Sequence, residues 1–257
     1  MDIDDAVLLG IIQGFTEWLP ISSAAHVAIA NNLLNINAPI ELQVALNFGT
    51  IVALIAYMKD DLMGLIASLL RRDPHTLKLF VLIALAGIPT SLIGFAGKSW
   101  FEEMHTSLSA IGITLILNGV ILFLTRFSSP GSQPLTPLSA LAQGIGQGLS
   151  VAPGISRSGA TISAGLFCGL EPTEAARFSF LIGLPALLVA STIELNQAAL
   201  SEESLLPLAA GLLASAITGY FSIHALISVL KSGKFTTFSY YCIALGLMSF
   251  VLSYFSL

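Results

Sequence analysis

Six apolar runs, each a candidate for a helix that crosses a lipid bilayer, constrain this chain more than any other feature. They are centred on residues 43–58, 78–96, 109–126, 178–193, 206–229 and 237–255. A spanning helix needs about 17 to 25 predominantly apolar residues. Only 10% of the 257 residues are charged, against about 25% in soluble domains, so lipid must solvate most of the surface. The sequence predicts an all-α integral membrane protein with six spans.

Two further apolar regions, about 6–36 and 138–168, are each interrupted in the middle by glycine, serine, proline and a charged residue. The interruptions read QGFTEWLPISSAAH (13–26) and QGLSVAPGISRSGA (147–160), and they align without a gap at an offset of 134 residues. A proline followed by serines is an end signal and then a start signal for helices. Each region is therefore predicted to form a re-entrant helical hairpin.

The same offset continues downstream, where FGTIVALI (48–55) aligns with IGLPALLV (182–189). A stretch rich in proline, serine and glycine, 127–137, separates the two halves and is predicted to be a linker. Residues 1–126 and 138–257 then form two repeats of one membrane domain, each a hairpin followed by three spans. Because three is odd, the second repeat has inverted topology relative to the first.

On this topology the charged residues sort into two faces. The basic face carries Lys59, Arg71, Arg72, Lys78, Arg126, Lys231 and Lys234. The acidic face carries Asp2, Asp4, Asp5, Glu102, Glu103, Glu194, Glu202 and Glu203, together with Lys98. Basic loops stay in the cytoplasm, so both termini are predicted to face outward. Full crossing by the interrupted segments would destroy this sorting.

The broken hairpins place helix ends inside the membrane. Pro20 and the Pro153-Gly154 pair are predicted to end the first half-helices. The candidates for capping the second half-helices are Ser22 and Ser23 in the first hairpin, and Ser156 and Ser158 in the second. Helix N-termini bind anions through free N–H groups and the helix dipole. Two such ends together predict a phosphate pocket.

Three ionisable residues accompany these ends: Glu17, His26 and Arg157. An ionisable side chain within a membrane is a functional candidate by default, and a guanidinium suits phosphate through paired hydrogen bonds. The structural alternative is that Glu17 and Arg157 merely pair with each other across the repeats. We expect Ser23 and Arg157 to approach each other near the membrane centre, with Glu17 and His26 lining one outward-opening cavity with them.

The two hairpin motifs, with EAARFSFLIGLPA (174–186) and ILNG (116–119), resemble the undecaprenyl-diphosphate phosphatase family of the bacitracin-resistance type, over essentially the whole chain. The resemblance implies an integral enzyme that removes the terminal phosphate of the C55 polyprenyl diphosphate carrier. That reaction recycles the lipid for peptidoglycan and other envelope polymers and confers bacitracin resistance. The implied location is the bacterial cytoplasmic (inner) membrane, with the active-site opening on the periplasmic face.

The resemblance also implies roles for individual residues. The catalytic residues are Glu17, Ser23, His26 and Arg157, and the phosphate-binding residues are Gln13, Ser22, Ser156, Ser158 and Gly159. Either Ser23 or His26 could be the nucleophile, and with Ser23 in that role His26, three residues on, lies on the same helical face as a candidate base.

A divalent cation, Mg²⁺, is implied as cofactor with Glu17 as its ligand. Two departures from the family pattern bear on the site. Gln13 stands where many members have a second acidic residue, which leaves fewer carboxylates for the cation. Ala24-Ala25 stands where many members have Thr-Gly, which removes one hydroxyl donor.

Other functions remain open on the sequence. Inverted repeats with broken helices are also transporter architecture, so the alternative is a transporter or flippase of polyprenyl phosphate or a small anion. A catalytically lapsed homologue is a third hypothesis. The expected partners are the polyprenyl diphosphate substrate and membrane lipid, with a homodimer left open and no nucleic acid.

Overall fold

A computed structural model describes residues 2–105, 107–129, 131, 133–196 and 205–255. Glu202 and Glu203 of the acidic face lie outside the described residues. Within these residues, six helices are long and apolar enough to cross a membrane. They are α3 Ile40–Tyr57, α5 Pro74–Ala96, α7 Leu108–Leu124 with a 3₁₀ turn to Phe127, α10 Pro172–Leu195, α11 Leu205–Lys231 and α12 Thr237–Phe255. The six predicted spans are confirmed.

Both predicted interruptions are also observed. The first hairpin consists of α1 Ile3–Trp18 and α2 Ser23–Leu34, and the second of α8 Pro137–Leu149 and α9 Arg157–Phe167. The two helices of each hairpin pack against each other. At 1.5 Å per residue, none of these helices reaches across a bilayer, so each hairpin tip lies within the bundle.

The first helix of each hairpin packs against a spanning helix of the other repeat. Helix α1 packs along α11, and α8 packs along α5. Close approach depends on small residues: a Cβ added at Gly14 would lie 2.3 Å from the carbonyl oxygen of Ser215 on α11. Gly10 and Gly14 on α1 correspond at the 134-residue offset to Gly144 and Gly148 on α8. These small-xxx-small pairs are typical of membrane helix interfaces.

Helices α7 and α12 contact each other reciprocally. A Cβ on Gly112 would lie 2.7 Å from the carbonyl oxygen of Gly246, and a Cβ on Gly246 would lie 2.6 Å from that of Gly112. The two glycines are themselves related by the 134-residue offset. Such reciprocity is what a twofold axis between two inverted repeats requires, so the packing is consistent with the predicted topology.

Two short helices were missing from the sequence prediction: α4 Lys59–Leu70 and α6 Lys98–His105. They follow the spans α3 and α5 respectively, and α4 has no buried residue. Their apolar runs are too short to cross a bilayer. Because both segments also carry charged residues, the sequence predicts connections between the spans there.

Candidate active site

The tips of the two hairpins are bonded directly to each other. The hydroxyls of Ser156 and Ser158 both donate to the carbonyl oxygen of Leu19, at 3.2 and 3.1 Å. The backbone N–H of Gly154 donates to Ser22 Oγ at 3.1 Å. The predicted meeting of the two half-sites is therefore observed.

Asn118 on α7 joins the tips from a third side. Its Nδ2 donates to the carbonyl oxygen of Pro20 at 3.0 Å, and its Oδ1 accepts from the backbone N–H of Ser156 at 3.0 Å. The side chain is fully buried. Sequence reasoning assigned Asn118 no role, although an isolated amide within an apolar span was a usable signal.

The serine hydroxyls at the two tips form hydrogen bonds to backbone groups. Ser22 caps α2 and Ser156 caps α9, as predicted. Ser22 lies at φ 66°, a conformation that is uncommon for a side-chain-bearing residue, and its Oγ accepts from both Ala25 and Gly154. The Gly159 N–H donates to Ser156 Oγ at 3.1 Å. These hydroxyls hold the two tips in place, so phosphate binding by them would have to compete with backbone bonds.

Glu17 connects the N-termini of the two second half-helices. One carboxylate oxygen, Oε1, accepts from Arg157 Nη2 at 3.0 Å, and the other, Oε2, accepts from Ser23 Oγ at 2.5 Å. Ser23 is the first residue of α2 and Arg157 is the first residue of α9. The Glu17 side chain is only 9% exposed and the Arg157 side chain 12%. The predicted pairing of Glu17 with Arg157 exists, and Ser23 belongs to the same cluster.

Two N–H donor atoms of the Arg157 guanidinium form no hydrogen bond to the described residues. Its Cζ lies 4.9 Å from the centroid of the Trp18 ring, a cation–π contact. Nε and Nη1 are buried and have no hydrogen-bond partner among the described residues. Buried donors are normally satisfied, so Nε and Nη1 lack bonds that the oxygens of an anion could supply, although Nη1 lies against Gly183 on α10.

His26 lies on the first turn of α2, and its ring nitrogens bond to groups other than Ser23. Its Nδ1 bonds to the carbonyl oxygen of Ser22 at 2.7 Å and its Nε2 bonds to the Tyr241 hydroxyl at 2.7 Å. The expectation that His26 serves as the base for Ser23 is thus not met, since the Ser23 hydroxyl donates to Glu17. The first residue of a helix points its side chain back toward the N-terminus, which here is where Glu17 lies.

Comparison with known proteins identifies the family. The chain matches the family model described as "Bacitracin resistance protein BacA" over residues 6–248. The chain belongs to this family. It is 36% identical to the undecaprenyl-diphosphatase of Halothermothrix orenii, covering 98% of this chain and 99% of the relative. It is 36% identical to that of Carboxydothermus hydrogenoformans (98% and 98%) and 35% identical to that of Korarchaeum cryptofilum (96% and 98%).

In this BacA-family chain the side-chain amides of Gln13 and Asn47 extend the hydrogen-bond network of Glu17 away from the hairpin tips. Gln13 Nε2 donates to Glu17 Oε2 and to Asn47 Oδ1, both at 3.1 Å. Asn47 Nδ2 in turn donates to Glu194 Oε2 at 3.4 Å. The other amide atom, Gln13 Oε1, is buried with no hydrogen-bond partner among the described residues. Gln13 therefore supports Glu17 and still offers one free oxygen.

Two cavities are observed in the described residues, and Glu17, Ser23, His26 and Arg157 line neither of them. Cavities of about 280 and 340 Å³ lie at the other end of the spans, where they are lined by residues such as Arg126 and Lys231. The site side chains instead bond to one another or, for His26, to Tyr241. A diphosphate must therefore replace some of these bonds when it binds.

Proposed function

We propose that this chain hydrolyses undecaprenyl diphosphate to undecaprenyl monophosphate and inorganic phosphate. The reaction recycles the lipid carrier for peptidoglycan and other envelope polymers and confers bacitracin resistance. Family membership and relatives named undecaprenyl-diphosphatase support this function. The observation that carries it in this chain is the Glu17 carboxylate bonded to a serine hydroxyl and to an arginine with spare donors.

Arg157 and the two half-helix N-termini bind the diphosphate and stabilise the charge that moves during phosphoryl transfer. The free N–H groups of Arg157 at Nε and Nη1 support this role, because they are buried beside the cluster. The substrate's polyprenyl chain stays in lipid, which accounts for a site between membrane helices.

Ser23 is the first candidate for the nucleophile. Its Oγ forms a bond to the terminal phosphorus while its proton passes to Glu17, 2.5 Å away. The bond from that phosphorus to the bridging oxygen breaks, and undecaprenyl monophosphate leaves. Water then attacks the phosphorus of the phosphoserine, the bond from phosphorus to Ser23 Oγ breaks, Oγ takes its proton back from Glu17, and inorganic phosphate leaves. The second candidate is His26, whose Nε2 attacks phosphorus directly or takes a proton from the attacking water.

A divalent cation, Mg²⁺, is part of the proposal. Mg²⁺ prefers oxygen ligands and is commonly bound through one or two carboxylates together with substrate phosphates. Glu17 and Gln13 supply such oxygens, but the Gln13 amide turns its Nε2 toward Glu17 Oε2 and leaves Oε1 without a partner among the described residues, so the amide would have to rotate to bring both residues' oxygens to one cation. Glu17 and Gln13 would hold the cation, which would neutralise phosphate charge. Among the described residues no group of three His, Cys, Asp or Glu could hold a metal, so water and substrate oxygens would complete its coordination.

Phosphate release by detergent-purified protein tests the function. Undecaprenyl diphosphate should be hydrolysed with Mg²⁺ present, and a chelator should lower the rate about tenfold or more, reversibly on adding Mg²⁺ back. Activity that is indifferent to the chelator would remove the cation from the proposal. Protein that moves polyprenyl phosphate across proteoliposomes without hydrolysing the diphosphate would be a transporter, and protein that does neither would be a lapsed homologue.

The proposed orientation places the protein in the bacterial cytoplasmic membrane, with both termini and the site opening on the periplasmic face. Lys59 and Arg126 follow α3 and α7, Lys231 is the last residue of α11, and basic loops stay in the cytoplasm. A homodimer stays a prediction.

Thiol labelling checks this orientation. Single cysteines at Ser99 and Ser232, both exposed, are introduced after replacing Cys168 and Cys242 with serine. An impermeant maleimide applied to intact spheroplasts should label position 99 and miss position 232. The matched control is the same reagent on permeabilised cells, which should label both. Labelling of position 232 alone in intact spheroplasts would contradict the orientation.

A further inference from the structure

Both ring nitrogens of His26 have partners, and the partners determine the tautomer. The carbonyl oxygen of Ser22 can only accept a hydrogen bond, so the Nδ1 that contacts it at 2.7 Å carries the proton. In a neutral imidazole the lone pair then lies on Nε2. The Tyr241 hydroxyl, 2.7 Å from Nε2, must therefore donate to that lone pair.

The orientation of the His26 ring is also restricted by its neighbours. The His26 and Tyr241 rings are nearly parallel, with an interplanar angle of 5° and centroids 5.7 Å apart. Tyr241 lies on α12, 215 residues along the chain. On the other side, Ser22 presents its carbonyl oxygen from a backbone at φ 66°, an uncommon conformation that the surrounding bonds maintain. The imidazole is thus clamped between the first hairpin and the last span.

We propose that Tyr241 is a positioning residue for His26 in phosphate release, an inference that rests on the proposed function with His26 as the reacting group. Its hydroxyl fixes the direction of the Nε2 lone pair, and this hydrogen bond opens when Nε2 attacks phosphorus or takes a proton from water. A phenol both donates and accepts. When Nε2 has taken a proton, the Tyr241 oxygen can accept from the new N–H, so one side chain holds the ring before and after the proton moves.

The test compares Tyr241→Phe with Tyr240→Phe in the full chain. Removing the Tyr241 hydroxyl should lower kcat about 10- to 100-fold and change KM less than about threefold, because ring position affects the chemical step rather than substrate binding. Tyr240 is the matched control: it is the preceding residue of α12, it is 63% exposed, and its ring contacts Phe123. Tyr240→Phe should retain wild-type kcat. Equal losses in both variants, or none in Tyr241→Phe, would overturn the proposal.

A spectroscopic readout separates positioning from packing. The chain has four histidines, so ¹⁵N-histidine labelling gives few ring signals, and His26→Asn assigns those of His26. We expect a protonated Nδ1 in wild type, and in Tyr241→Phe the same tautomer with the Nε2 signal moved toward that of a free acceptor. A lost kcat with an unchanged Nε2 signal would assign Tyr241 to packing. Wild-type protein that releases no phosphate would instead contradict the proposed function, and the Nε2 signal would still report whether the bond exists.

Discussion

Glu17→Gln and Arg157→Met are each expected to destabilise the protein strongly, whereas the double variant is expected to fold nearly as well as wild type and remain inactive. Each single change leaves one charge buried without its partner, because both side chains are about nine-tenths buried. Breaking a buried ion pair in this way costs about 3–5 kcal/mol, while replacing both partners is often close to neutral. Phosphate release by the double variant should stay about 10³-fold or more below wild type, since the site then lacks both the base and the guanidinium.

Thermal unfolding in detergent and phosphate release measure the two effects separately. The ion pair of Arg177 with Asp61 is the matched control, since its distance is 2.8 Å but its side chains are 39% and 47% exposed. Removing either of those partners should cost only about 0–1 kcal/mol and leave phosphate release intact. A double Glu17/Arg157 variant with near wild-type activity would make the pair structural. A double variant less stable than both single variants would show that the losses in the single variants do not come from an unpaired buried charge.

Arg157→Lys is expected to lower kcat/KM about 100- to 1000-fold while the protein still folds. A lysine keeps the positive charge, so Glu17 is not left unpaired. However, an ammonium is a compact charge on a flexible chain. It cannot replace the planar guanidinium of Arg157, which contacts Glu17 through Nη2 and leaves Nε and Nη1 without a partner among the described residues. The loss should appear in kcat as well as in kcat/KM, because phosphate charge is stabilised most in the transition state.

Arg177→Lys is the control for this substitution, because Arg177 is half-exposed and its ion pairs are with Asp61 and Glu174, neither of which belongs to the site. It should retain full phosphate release. The elution profile and unfolding temperature of Arg157→Lys should match wild type. Activity of Arg157→Lys within about threefold of wild type would remove Arg157 from transition-state stabilisation and leave it as the partner of Glu17.

The helices and their interruptions followed from the sequence because their causes are local. Apolar run length predicted the six spans, since an unpaired backbone in lipid is too costly for any other spanning structure here. Pro20 marked the end of α1, and the predicted caps were narrowed to two serines in each hairpin, of which the structure uses Ser22 and Ser156. Ionisable residues within apolar regions indicated Glu17 and Arg157, because a charge in lipid needs a partner or a function.

The hydrogen-bond partners of Ser23 and His26 were decided only by the tertiary structure. Spacing along α2 predicted that Ser23 and His26 act together, yet Ser23 bonds to Glu17 and His26 bonds to Tyr241. A spacing of three residues brings two side chains to one helical face, but each still points toward whatever packs there. That neighbour comes from the crossed packing of the repeats, which brings Arg157 to Glu17 from 140 residues away and Tyr241 to His26 from 215 residues away. Contacts over such separations depend on how whole helices rotate and approach one another, which no local pattern in the sequence records.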